Sequence, residues 1–138
     1  MPRVRTDNAY PTRMLTISEE LFERLCAARG VPVSRIATTN TRTADYRLGL
    51  GTTPCVAEVK QLDETAEDRQ LATHWGTPDS YGAVAPSVRV RGLLQDAYPQ
   101  IKASADDEVP GMIVLYNNTG PWNRIDAFTV SKAMFGSF

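Results

Sequence analysis

Apolar positions along this chain alternate between two periods, and the switches mark its elements. Leu21, Phe22, Leu25 and Cys26 recur at helical spacing after Ser18, a good N-cap, with Glu19 and Glu20 suited to the positive end of a helix dipole. The spacing predicts a first helix that buries these four side chains and stops at Gly30, before Pro32. Period-two alternation follows. Val33 to Ala37 reads as a short strand, and residues 43–50 as a second, with Ala44, Tyr46, Leu48 and Leu50 on one face and Asp45 and Arg47 on the other. Gly51-Thr52-Thr53-Pro54 is a turn, and residues 55–62 form a third strand. Cys55, Ala57 and Val59 oppose Val56, Glu58, Lys60 and Leu62, which makes an antiparallel hairpin with the second strand.

The pattern weakens over residues 63–88, which begin acidic and turn rich in Gly, Pro, Ser and Thr. They read as a long loop or flap, with room for a short helix near 65–72. A helix from about Val88 to Ala105 carries Val90, Leu93, Leu94, Ala97 and Ile101, and Pro99 should kink or split it. Gly111 to Tyr116 is an unbroken apolar run, the mark of a strand buried on both faces. A last helix over 125–135 ends at Gly136. The order α-β-β-β-α-β-α predicts a mixed α/β (α+β) fold: a hairpin-rich sheet with one central buried strand and helices on both sides.

Composition narrows the class. The 138 residues suit one domain, with residues 1–17 as an irregular N-terminal segment, and 42% hydrophobic content is enough for a core. No apolar run approaches a membrane span, and the opening Met-Pro-Arg-Val-Arg leads into no secretory core, so a cytoplasmic protein is expected. Two cysteines and one histidine give no disulfide framework and no Cys- or His-rich metal site, which directs any metal to oxygen ligands. The net charge of −1 argues against a protein that coats nucleic acid. It conceals a bias, since residues 1–60 hold nine basic and six acidic residues and residues 61–110 four basic and nine acidic. Cys26 and Cys55 fall on apolar faces and are expected in the core. Trp122 is expected to pack, His74 and Trp75 to lie on the flap, and Asp63 to Asp68 to form a solvated face.

The chemistry gathers at the hairpin. Glu58 and Lys60 are two apart on one strand and share a face, and Asp45 lies on the polar face of the strand before. Two carboxylates on neighbouring strands repel, and a divalent cation relieves the repulsion. Two carboxylate oxygens, a backbone carbonyl from Val59 and several waters are what Mg²⁺ accepts. The ion would lower the pKa of a bound water and stabilise charge on a phosphoryl oxygen, with Lys60 orienting the water. The bland alternative is a solvated hairpin with a cross-strand ion pair of little worth.

Asp45, twelve intervening residues and then Glu58-Val59-Lys60 resembles the signature of the PD-(D/E)XK nuclease superfamily, with Ala44 where a Pro is usual. The α-β-β-β-α-β order is similar to its restriction-endonuclease-like core. Thr43-Ala44-Asp45-Tyr46, Cys55 to Lys60, Met112 to Asn118 and Ala133-Met134-Phe135-Gly136 resemble small bacterial and phage-type members. The resemblance implies an Mg²⁺-dependent endonuclease, with Mn²⁺ able to substitute, acting on nucleic acid and on DNA first. Asp45 and Glu58 would bind metal and Lys60 would complete the catalytic set. It further implies an acidic metal ligand from the first helix, Glu23 or, as the other candidate, Glu20. Substrate contacts would come from Arg47, Gln61, Arg91, Gln100 and Lys102. More sheet would be expected beyond Gly136, which points to a partner or a truncated edge there, and a homodimer is the oligomer to look for. A non-catalytic nucleic-acid- or partner-binding domain on the same fold is the rival reading.

Overall fold

The computed structural model describes residues 14–37, 41–73, 86–120 and 125–136. Eight elements follow one another: α1 (Ile17–Ala28), β1 (Val33–Arg35), β2 (Tyr46–Leu50), β3 (Thr53–Asp63), α2 (Ala66–Thr73), α3 (Pro86–Ser104), β4 (Gly111–Asn118) and α4 (Ala127–Phe135). The strands form one mixed sheet in the order β1-β2-β3-β4, antiparallel between β1, β2 and β3 and parallel between β3 and β4. Helices flank the sheet on both sides, as the alternation of β3 requires.

On one side, Phe22 and Cys26 of α1 pack on Tyr46, Leu48, Cys55, Ala57 and Val59. The Phe22 and Tyr46 rings lie 5.2 Å apart at a tilt of 58°, a favourable edge-on arrangement. On the other side, α3 lies over β3 and presents the buried Val90 and Ala97. The long β3 is therefore the central strand, buried from Cys55 through Val59 whichever way its side chains point.

Several expectations shift. The cap of α1 is Thr16, which accepts from the Glu19 amide while Glu19 accepts from the Thr16 amide. This reciprocal box satisfies two amides at once, which Ser18 alone would not. Ser18 is buried instead, its amide held by Gln61. Leu21 and Leu25 were expected in the core but are 38% and 56% exposed, because only Phe22 and Cys26 face the sheet. The run Gly111–Asn118 is not the central strand. It lies outside β3 at the end of the described sheet and is half-buried from Met112 on, packed by α3 and, through Met112 and Val114, against the core cluster. α3 runs through Pro99 without a break. Pro99 is exposed, so the carbonyl it leaves unpaired can turn to water.

Local chemistry sets the remaining boundaries. Gly30 (φ 65°) ends α1 and Gly51 (φ 63°) makes the hairpin turn, both in the left-handed region that side chains resist. The short helix expected near 65–72 is α2, capped reciprocally by Thr65 and Asp68. Asp68 departs from the solvated face expected of 63–68. It is buried and paired with Arg89 of α3 at 2.8 Å. Cys26 and Cys55 are buried free thiols, as expected. The expectations for His74, Trp75 and Trp122, and for residues 1–13, lie outside the described residues. No helix among the described residues is long and apolar enough to cross a membrane.

Candidate active site

The β2–β3 register explains how the acidic residues meet. Tyr46 stands opposite Ala57, so one further step would set Asp45 opposite Glu58, on the face turned to α3. Like charges directly opposite are unfavourable, and the ladder stops there: β2 begins at Tyr46, not at residue 43. The Asp45 carboxylate takes over the missing contact, its Oδ2 accepting from the Val59 amide at 2.9 Å. Asp45 is held from both sides, since its carbonyl accepts from Ile36 at 2.8 Å and the Ala44 amide donates to Ser104 Oγ at the end of α3 at 2.9 Å.

Glu58 is the most unusual of the described side chains. It is 2% exposed on the central strand, and its Oε2 is the one buried side-chain atom without a hydrogen-bond partner among the described residues. Burial pushes its pKa above the ordinary carboxylate value. The charge of Asp45 adds to the rise, and the hydrogen bond from Lys60 opposes it.

Lys60 spends all three of its ammonium donors. Nζ lies 3.0 Å from Glu58 Oε1, 3.0 Å from Asp96 Oδ2 and 3.2 Å from Gln100 Oε1. Burial works against its charge, but the bonds to Glu58 and Asp96 prevail and hold its pKa above the usual lysine value. Lys60 in turn holds the Asp96 carboxyl below its ordinary value.

The structure thus brings together Asp45, Glu58, Val59 (through its amide), Lys60 and Gln100. It does not bring Glu23 to them. Glu23 points to the other face of the sheet, where Arg35 grips it through two nitrogens and Tyr46 donates to Oε1 at 2.9 Å. Arg35 holds the Glu23 carboxyl below its ordinary pKa. The alternative, Glu20, is exposed on α1. Gln61 also faces away, bonded to the Ser18 amide and to Asp63. Arg91 donates to the carbonyls of Ala133 and Lys132, closing the end of α4. Lys102 is exposed, its Nζ 5.9 Å above the Tyr98 ring. Arg47 is exposed on β2, on the side that Asp45 faces.

Asp96 is the site residue that sequence reading passes over. Its signal is present: Asp96 and Gln100 are four apart, one turn of α3, and so share a helix face. Only the packing of α3 on β3 shows that this face meets Lys60.

Among the described residues no group of three or more His, Cys, Asp and Glu side chains is placed to hold a metal. Asp45 and Glu58 offer two carboxylates, so a bound divalent ion would complete its shell with backbone oxygen and water, a composition Mg²⁺ accepts. The unpartnered Glu58 Oε2 fits such an ion, since a buried carboxylate oxygen with nothing to accept from is costly. No family model, no curated protein and no solved structure matches this chain.

Proposed function

We propose that this protein is an Mg²⁺-dependent nuclease of the PD-(D/E)XK type that hydrolyses phosphodiester bonds, in DNA first. The observation that carries the reading is Glu58: a carboxylate on the central strand, 2% exposed, one oxygen unpartnered, with Asp45 and Lys60 on either side. A fold stabilised only by packing would place an apolar residue there, because burying an unpaired acceptor costs about 1–3 kcal/mol. The element order α1-β1-β2-β3-α3-β4, with α2 inserted before α3, supports the same reading.

Asp45 and Glu58 would hold the ion, with the Val59 carbonyl as the backbone ligand. When bound, Mg²⁺ lowers the pKa of a coordinated water and offsets charge on the phosphoryl oxygens. Asp45 is fixed by the Val59 amide and by the anchoring of its neighbour to Ser104, so it needs little rearrangement to serve as a ligand. Lys60, which reaches the same face from two residues along β3, would orient the attacking water and stabilise the transition-state charge through its ammonium. Arg47, exposed on that side, is the group to meet a backbone phosphate.

One observation favours a second reading, a non-catalytic binding domain. The Lys60 ammonium is fully satisfied by Glu58, Asp96 and Gln100, as a purely structural tie between β3 and α3 would be. Plasmid cleavage in Mg²⁺ or Mn²⁺ separates the two. The nuclease reading requires cleavage that EDTA stops and that Glu58→Gln, Asp45→Asn and Lys60→Ala each reduce by about 100-fold or more. Wild-type protein that cleaves no better than these variants refutes it.

A further inference from the structure

Lys60 has to serve two arrangements. With Glu58 free, its ammonium lies on Glu58 Oε1 at 3.0 Å. A divalent ion on the unpartnered Oε2 would draw off the Glu58 charge and repel the ammonium, and a lysine whose partner is weakened has a flexible four-carbon stem that can carry it to solvent. Here two further acceptors remain, Asp96 Oδ2 at 3.0 Å and Gln100 Oε1 at 3.2 Å, both on α3 and so independent of the strand that holds the ion. Asp96 is 63% exposed, whereas the Lys60 side chain it holds is only 15% exposed. Charge agrees with the geometry: Glu58 and Asp96 both pair with the ammonium, and Asp45 adds negative charge beside Glu58 that a divalent ion would offset.

We propose that Asp96, with Gln100 one turn on, is a positioning residue that keeps the Lys60 ammonium at the reacting centre when a divalent cation takes Glu58. This rests on the nuclease reading above and adds to it a role for α3. Asp96 touches neither ion nor substrate and acts only through Lys60.

The test uses the full chain, in EDTA and in saturating Mg²⁺, with two measurements. The first is the nitrogen-proton NMR signal of the Lys60 ammonium, visible only while its hydrogens are held. Wild type should show it under both conditions, and Asp96→Ala should lose it when Mg²⁺ is added. The second is plasmid cleavage. Asp96→Ala should lower kcat about tenfold while KM and the Mg²⁺ dependence stay within about twofold, and Asp96→Glu should recover most of the rate. A merely structural residue would change neither the signal nor the kcat-to-KM split. Gln100→Ala is the second variant and should show the same pattern more weakly. If wild type cleaves and Asp96→Ala matches it in rate and signal, the positioning role is refuted and the nuclease reading stands. If wild type neither cleaves nor responds to Mg²⁺, the nuclease reading falls and the positioning role with it.

Discussion

Replacing Glu58 by Gln should make the protein more stable while removing its proposed activity. The substitution keeps shape and volume and removes one buried charge. In the native fold that charge is 2% exposed, has one unpartnered oxygen and faces Asp45. Neutralising it relieves the desolvation cost, several kcal/mol for an ion in the interior. Against this, the charge-assisted bond from Lys60 becomes an ordinary one, a loss of about 1 kcal/mol, and the amide NH₂ of Gln is buried where an unpartnered oxygen stood, a further cost of about 1–3 kcal/mol. Lys60 retains Asp96 and Gln100, so no ammonium is left without acceptors. The balance is a gain of about 1–2 kcal/mol, or roughly 3–8 °C in Tm for a domain of this size. The pH dependence follows from the raised pKa. The folded state binds the Glu58 proton more tightly than the unfolded chain, so wild type loses stability as pH rises from the ordinary Glu value of 4.5 towards the raised one. The advantage of Glu58→Gln should therefore be largest at neutral pH and shrink as pH falls towards 4.5. Urea unfolding in EDTA at several pH values measures it. A destabilised variant, or a gain that does not vary with pH, would show that Lys60 fully compensates Glu58 and that no charge conflict exists there.

The other predictions address the frame around the site. Gly111→Ala should cost about 1–3 kcal/mol in urea unfolding, because a Cβ there meets Ile101 Cγ2 and lies 3.3 Å from Ala105 Cβ. Asp68→Ala removes the Asp68 half of the α2 cap and the carboxylate paired with the Arg89 guanidinium, which keeps, among the described residues, only the Asp63 carbonyl, and should cost about 3–5 kcal/mol, with Asp68→Asn recovering the cap bond alone. Tyr46→Phe should cost about 1 kcal/mol, the worth of its hydrogen bond to Glu23, and leave cleavage unchanged, which checks that this cluster is separate from the proposed active site. Glu23 has a depressed pKa, so its pairing with Arg35 is complete above about pH 4.5 and is lost on further acidification. Arg35→Met should flatten that acid limb of the stability profile.

Much of the site was legible along the chain because period-two alternation is a local rule. It places Glu58 and Lys60 on one face whatever the strand packs against, and the short turn at Gly51 brings Asp45 across from them. The same rule, applied to Gln61, sets it on the face of Val59, and that is where it points, bonded to Ser18. Glu23 was less legible because a helix position names a face but not a direction. The apolar stripe of α1 covers the side of the sheet away from Glu58, and Glu23 goes with it to Arg35 and Tyr46. Arg91 likewise reads as a free cation in sequence, and only the approach of α4 shows that it is spent on the carbonyls of Ala133 and Lys132.

The sequence alone determined the elements, the hairpin and the shared face of Asp45, Glu58 and Lys60, since these depend on residues close in the chain. Tertiary structure decided what covers that face. The parallel pairing of β4 with β3 places the central strand one position away from where an unbroken apolar run suggests, because apolar continuity reports burial by helices and not position in a sheet. The packing of α3 on β3 buries Glu58, leaves one of its oxygens without a partner, and delivers Asp96 and Gln100 to Lys60 across 36 and 40 residues of chain. Contacts at that separation depend on how two elements dock, which no local period encodes.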